Sequence, residues 1–133
     1  MDKNELLKIA KEARERAYAP YSQFYVGAAL LCDDGSVYTG CNIENASFSP
    51  TCCAERTAIF KAVSDGKRKF SAIAVVGGKN DSDVSEPCYP CGVCRQVISE
   101  FCDDEFLVIT ENKEKAESTA FSDILPKRFK IDN

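Results

Sequence analysis

Three cysteines and a glutamate, set at two places in the chain, could together do metal chemistry: Cys53-Ala54-Glu55 and Pro90-Cys91-Gly92-Val93-Cys94. Thiolates are zinc ligands, and a Cys-x-x-Cys pair turning into a helix puts two sulfurs on one side of the turn. A third sulfur from Cys53 would leave a fourth corner for water. Zinc lowers the pKa of such a water towards about 7 and so gives hydroxide at neutral pH. Glu55, two residues past Cys53, leaves its helix at a different angle, beside the metal without being an obvious ligand. That is the position a proton shuttle needs. Three thiolates and one Zn2+ leave a net charge of −1, which opposes acidification of the water. Arg56 and Arg95, adjoining Glu55 and Cys94, can donate hydrogen bonds to the sulfurs and offset it, Arg56 carrying most.

Other readings of the same residues have to be weighed. Cys88 stands three before Cys91, so with Cys53 it could complete a four-thiolate structural site, which leaves no place for water and gives Glu55 no task. A Cys-x-x-Cys opening a helix is also the thioredoxin-like redox arrangement, but that motif directly follows a first buried strand, and here a polar loop from Gly77 to Pro90 intervenes. Taken alone, Glu55 would be a first-turn acid complementing a helix dipole, and Asn42 with Glu44 a solvated turn. Phe24 and Phe129 would by default be core residues. Cys32, Cys41, Cys52 and Cys102 read as small apolar core residues, as free cysteine usually is.

The elements that must position these groups follow from periodicity. Leu6, Ile9, Ala10, Ala13 and Ala17 recur at helical steps from an Asn4 that could cap, predicting an amphipathic helix that ends before Pro20. Tyr25 to Cys32, the turn Asp33-Asp34-Gly35-Ser36, and Val37 to Cys41 read as a β-hairpin. A polar loop from Asn42 to Thr51 leads to a second helix from about Cys53 to Ser64, ended by Gly66. A buried strand follows at Phe70 to Val76. Val93, Val97, Ile98 and Phe101 mark a third helix, and Phe106 to Thr110 another strand. The tail suggests a strand near Ala116 to Phe121 and a helical turn from Ser122 to Leu125, stopped by Pro126. This order predicts an α/β sandwich with helices covering a mixed sheet. Both cysteine motifs then sit at helix N-termini, where unpaired N–H groups and the helix dipole favour thiolates.

Bulk properties bound the rest. The 133 residues, 44% of them hydrophobic, are expected to form one domain over 1–133, with no linker or repeat. A charged N-terminus without an apolar stretch behind it argues against a signal peptide and for the cytoplasm, where eight cysteines stay unpaired. A net charge of −4 argues against a nucleic-acid partner, and no apolar run approaches the ~20 residues needed to span a bilayer.

At this point the chain resembles the small cytidine deaminases. The zinc-deaminase pattern of His or Cys, one residue, Glu, and later Pro-Cys-x-x-Cys is carried by Cys53 to Glu55 and Pro90 to Cys94. Ala19-Pro20-Tyr21-Ser22, Phe24, Val26-Gly27-Ala28-Ala29, Gly40 to Ala46, Cys53 to Ala58 and Cys94-Arg95-Gln96 agree in order, over roughly residues 5 to 129. Cysteine as first ligand is similar to the homotetrameric branch. The resemblance implies a three-layer α/β/α sandwich on a mixed five-stranded sheet, one Zn2+ per subunit held by Cys53, Cys91 and Cys94, and hydrolytic deamination of cytidine and deoxycytidine with Glu55 moving the protons. It implies that Asn42 and Glu44 bind the ribose hydroxyls, that Phe24 packs on the base, and that Ala54 lies in the substrate site. It further implies that Phe48 and Phe129 reach into neighbouring subunits' sites, Phe48 standing where the family commonly has Tyr.

Overall fold

The computed structural model describes residues 1–79 and 86–131. Helix α1 is Lys3–Arg14, capped by Asp2, whose carboxylate accepts from the Glu5 N–H at 2.9 Å. The cap is therefore Asp2 in place of the expected Asn4. The helix ends before Pro20 as expected, but already at Arg14, so that Ala17 lies beyond it; Tyr18 then bridges Ile43, donating to Asn42 O at 2.9 Å. Strands β1 (Phe24–Cys32) and β2 (Val37–Cys41) form the hairpin, and α2 spans Ala54–Ser64 with Cys53 as its N-cap. Then come β3 (Phe70–Lys79), α3 (Gly92–Phe101), β4 (Leu107–Asn112), β5 (Lys115–Ala120) and a final turn α4 (Phe121–Ile124).

Strand β3 runs three residues beyond its expected end. Gly77 and Gly78, read as the start of a loop, pair with Val26 and Tyr25 of β1. Glycine carries no hydropathy signal, so the partner strand and not the local sequence sets this end. The remainder of the expected Gly77–Pro90 loop falls partly on residues 80–85, outside those described.

The sheet order is β2-β1-β3-β4-β5, with β3–β4 parallel and the other pairs antiparallel, so the sheet is mixed. Residues alternate between its faces. Ala28, Leu30, Ile73, Val75 and Val108 pack with residues of α2 and α3 on one side. Ala29, Ala72, Ala74, Val76 and Ile109 pack against Leu6, Leu7 and Ala10 of α1 on the other. These two apolar layers make the molecule an α/β/α sandwich, and no described helix is long and apolar enough to cross a membrane.

Two features bring the cysteine motifs to one end of the sheet. Parallel β3 and β4 require a crossover, and α3 supplies it, so the chain reaches Cys91 on its way back from the β3 carboxyl end. The chain before α2 is drawn to the same end by Ile43, which exchanges two backbone hydrogen bonds with Cys52, each 2.9 Å. Gly40 lets α2 lie directly on β2: a Cβ there would stand 2.4 Å from Ala54 O and 2.5 Å from Ala58 N.

Candidate metal centre

The Sγ atoms of Cys53, Cys91 and Cys94 all lie within 4.8 Å of one another. Cys53 and Cys91 are 3.7 Å apart, and Cys91 and Cys94 3.4 Å. Three sulfurs on a tetrahedron about 2.3 Å from a zinc ion stand about 3.8 Å from one another, so the set is close to the spacing that ion needs. Cys53 and Cys91 are both N-caps, in extended backbone, and neither uses its side chain to cap its helix. Their sulfurs are thus free to turn towards each other at the positive ends of two helices. Among the described residues the cluster holds these three sulfurs and not Cys88. The Cys88 Sγ instead packs over Gly77, 2.8 Å from where a Cβ would stand, and burial pushes its thiol up to about 11. A fourth sulfur closing the site therefore has no support in the geometry.

Thiols this close share protons. Cys53 is held low because Cys94 donates to it, with help from Arg56 and Cys91, and Cys94 is pushed up by the same bond and by burial. Arg56 donates from Nη2 to Cys53 Sγ at 3.4 Å, as expected of a residue that offsets thiolate charge. Arg95 departs from expectation. Its Nε donates to Pro90 O and its Nη1 to Ile124 O, each at 2.8 Å, so it holds the backbone just before Cys91 to α4. The cause is the helical rotation of one residue from Cys94, which turns Arg95 away from the sulfurs.

Glu55 is 4% exposed, and its carboxyl lies against Cys94 and near Cys53 and Arg56. Burial, reinforced by the Cys53 charge, pushes it up to about 7. A carboxyl near half ionisation at neutral pH can both accept and return a proton. Ala54, fully buried between Cys53 and Glu55, opens the first turn of α2, where backbone N–H groups lack helical partners.

The expected substrate residues surround this end in different ways. Phe24, 39% exposed, begins β1, with its ring beside Gly77. Asn42 is buried and turned to β1: Oδ1 accepts from Val26 N and Nδ2 donates to Phe24 O, both at 2.8 Å. Glu44 Oε1 accepts from Tyr21 N at 3.0 Å and Ser22 N at 3.1 Å, and Oε2 accepts from the Ser22 hydroxyl. Each side chain keeps unused hydrogen-bonding capacity, a second amide hydrogen on Asn42 and further lone pairs on Glu44. Glu44 also lines a cleft of about 320 Å3 with Tyr21, Ser22, Asn45, Phe48 and Thr51. Phe48 is 82% exposed on that cleft. Phe129, 67% exposed, lies elsewhere, beside Gln96 and Glu100 of α3, and a single chain does not bring it to the sulfurs.

Two residues escaped the sequence reading. Ser22 bridges Glu44 and the Phe24 N–H, and Arg14 of α1 donates to Tyr25 O, Gly78 O and Lys79 O, each at 2.8 Å, cross-tying β1 to β3 next to Phe24. A serine in a turn and an arginine in a helix's last turn carry no local sign of such partners.

Comparison with known proteins agrees with this geometry. Residues 1–110 match the family described as the cytidine and deoxycytidylate deaminase zinc-binding region. The chain is 54% identical over 130 residues to a cytidine deaminase of Sporosarcina psychrophila, covering 97% of this chain and 92% of that protein. It is 51% identical to a cytidine deaminase of Halalkalibacterium halodurans, covering 97% and 95%. The crystal structure of cytidine deaminase from Burkholderia pseudomallei superposes with a TM-score of 0.87 at 47% identity, covering 97% of this chain and all of that one.

Proposed function

The chain belongs to the cytidine and deoxycytidylate deaminase zinc-binding family, and from that premise we propose how its residues divide the work of one reaction. The activity is the hydrolytic deamination of cytidine to uridine and ammonia, and the cofactor is zinc. The observation that carries the division of labour is the convergence of three sulfurs from two helix starts with the buried carboxyl of Glu55 against them.

Cys53, Cys91 and Cys94 hold the ion, one per subunit. Bound there, zinc supplies an acidified water at neutral pH. Glu55 accepts one proton from the attacking water and delivers it to N3 of the pyrimidine as the oxygen bonds to C4. It then takes the remaining proton from that C4 hydroxyl and passes it to the amino group, so that the C4–N bond breaks, ammonia leaves and the C4 carbonyl of uridine forms. Its burial keeps the proton affinity near neutrality, so one group serves in both directions. Arg56 offsets the excess negative charge of three thiolates, and Arg95 supports the centre through the backbone of Pro90.

Phe24 packs on the base, beside the first turn of α2 at Ala54, and the spare capacity of Asn42 and Glu44 takes the ribose hydroxyls. Free cytidine and deoxycytidine are the substrates of this arrangement. Phe48 and Phe129, exposed in one chain, reach neighbouring sites in a homotetramer with shared pockets. One domain spanning residues 1–133 performs the reaction, in the cytoplasm.

The test follows the ultraviolet absorbance of cytidine with wild type and Glu55→Gln. The variant is expected to lose at least about 10²-fold in rate while keeping its zinc. X-ray absorption on the loaded protein is expected to give three sulfurs per zinc. A fourth sulfur, or a Glu55→Gln variant as fast as wild type, would overturn the reading.

A further inference from the structure

We propose that Ser22 is a positioning residue, its hydroxyl tying the carboxylate of Glu44 to the backbone N–H of Phe24 so that the sugar end and the base end of the cleft are set together. The proposal rests on the nucleoside reading above and deepens it.

Phe24 has little core packing to hold it, being more than a third exposed at the very start of β1. Its position is fixed through its backbone. The carbonyl accepts from Asn42 Nδ2 at 2.8 Å, and the N–H donates to Ser22 Oγ at 3.0 Å. The same Ser22 hydroxyl donates to Glu44 Oε2, so one oxygen links the two ends. The residue between them, Gln23, has φ 57°, in the left-handed region that non-glycine residues rarely occupy. Two bonds hold it there, Gln23 N to Ala19 O at 3.0 Å and Phe24 N to Ser22 Oγ. Without the hydroxyl, Gln23 can relax towards ordinary backbone angles and Phe24 shifts with it.

The damage should be confined. Glu44 Oε1 keeps the Tyr21 and Ser22 N–H groups, so the loop stays folded, and neither the sulfurs nor Glu55 touch Ser22. A loss that falls on substrate placement and not on proton transfer appears in KM and leaves kcat standing. A threonine hydroxyl can make both bonds, and Ser22 is exposed, which leaves room for the added methyl.

Steady-state kinetics on cytidine with the zinc-loaded protein test this, using wild type, Ser22→Ala, Ser22→Thr, Glu44→Gln and the Ser22→Ala/Glu44→Gln double variant. Ser22→Ala is expected to raise KM about ten-fold with kcat within about two-fold, as loss of one charge-assisted hydrogen bond does. Zinc content and Tm stay at wild-type values, and Ser22→Thr restores most of KM. The double variant is expected to lose clearly less than the product of the two single losses, because the part of the serine's effect that runs through the Glu44 carboxylate is already gone in Glu44→Gln. An unchanged KM, a fall in kcat alone, fully additive losses, or a loss that threonine does not restore would each overturn the role of Ser22. Turnover of cytidine by wild type is the separate control. If it is present, a flat KM removes Ser22 alone; if it is absent, the nucleoside reading and this one fall together.

Discussion

Arg56 shows how a single side chain sets the acidity of a metal centre. It places a guanidinium 3.4 Å from the Cys53 sulfur, and a cation at that range favours the thiolate over the thiol. Metal and protons compete for the same sulfurs, so zinc leaves as pH falls. Removing the cation raises the proton affinity of Cys53, and protons then win at a higher pH. Arg56→Ala is therefore expected to lower zinc affinity and to move the midpoint of acid-induced zinc release upwards by about half a unit to one unit, read with a chromophoric chelator. Equal release curves for variant and wild type would show that the helix ends alone hold the charge. The three sulfurs and Glu55 were legible in the sequence because their spacing and helix-start context are local. Arg95 was only half legible: its place next to Cys94 is in the sequence, but its carbonyl partners depend on where α4 packs. Ser22 and Arg14 were not legible, since their partners lie on segments far along the chain.

Elements reach the centre through close backbone approaches that a methyl group would block. At Gly40 an added Cβ would stand 2.4 Å from Ala54 O, and at Gly27 2.0 Å from Ala10 O, both backbone atoms that cannot swing aside. Gly40→Ala and Gly27→Ala are each expected to cost about 1–3 kcal/mol in denaturant unfolding, as overpacking does. They should differ in function. Gly40 carries the first turn of α2, so its variant loses zinc affinity, whereas Gly27 carries α1 on the opposite face, so its folded variant keeps it. Equal zinc affinity in both variants would mean that the sulfurs position themselves independently of β2. Alternation and helical periodicity made the element order readable from the chain. The element ends were less so, as at Gly77 and Gly78 in β3 and at Asp2 capping α1, because a paired strand or a cap is decided by its partner.

Over the whole molecule, several large apolar side chains stand exposed on the single chain. Phe48, Phe129 and Ile131 are all at least two-thirds exposed, and Tyr18, Tyr21 and Val93 more than half. Phe48 and Phe129 are the two that the proposed assembly would cover. Sedimentation velocity is expected to show a tetramer, with Phe129→Ser moving mass to smaller species and reducing activity together. A wild-type monomer with full activity would show that the aromatics serve something else. The sulfur cluster carries a consequence for the same assembly. Its ligands come from the starts of α2 and α3, which precede and follow β3 in the chain, Cys53 and Cys91 being 38 residues apart, so the ion is a cross-link as well as a reagent. Any species that binds only the folded form shifts melting by mass action. Chelation should lower the melting temperature, and amide exchange should then quicken first at the openings of α2 and α3 while the β1–β3 ladder stays protected.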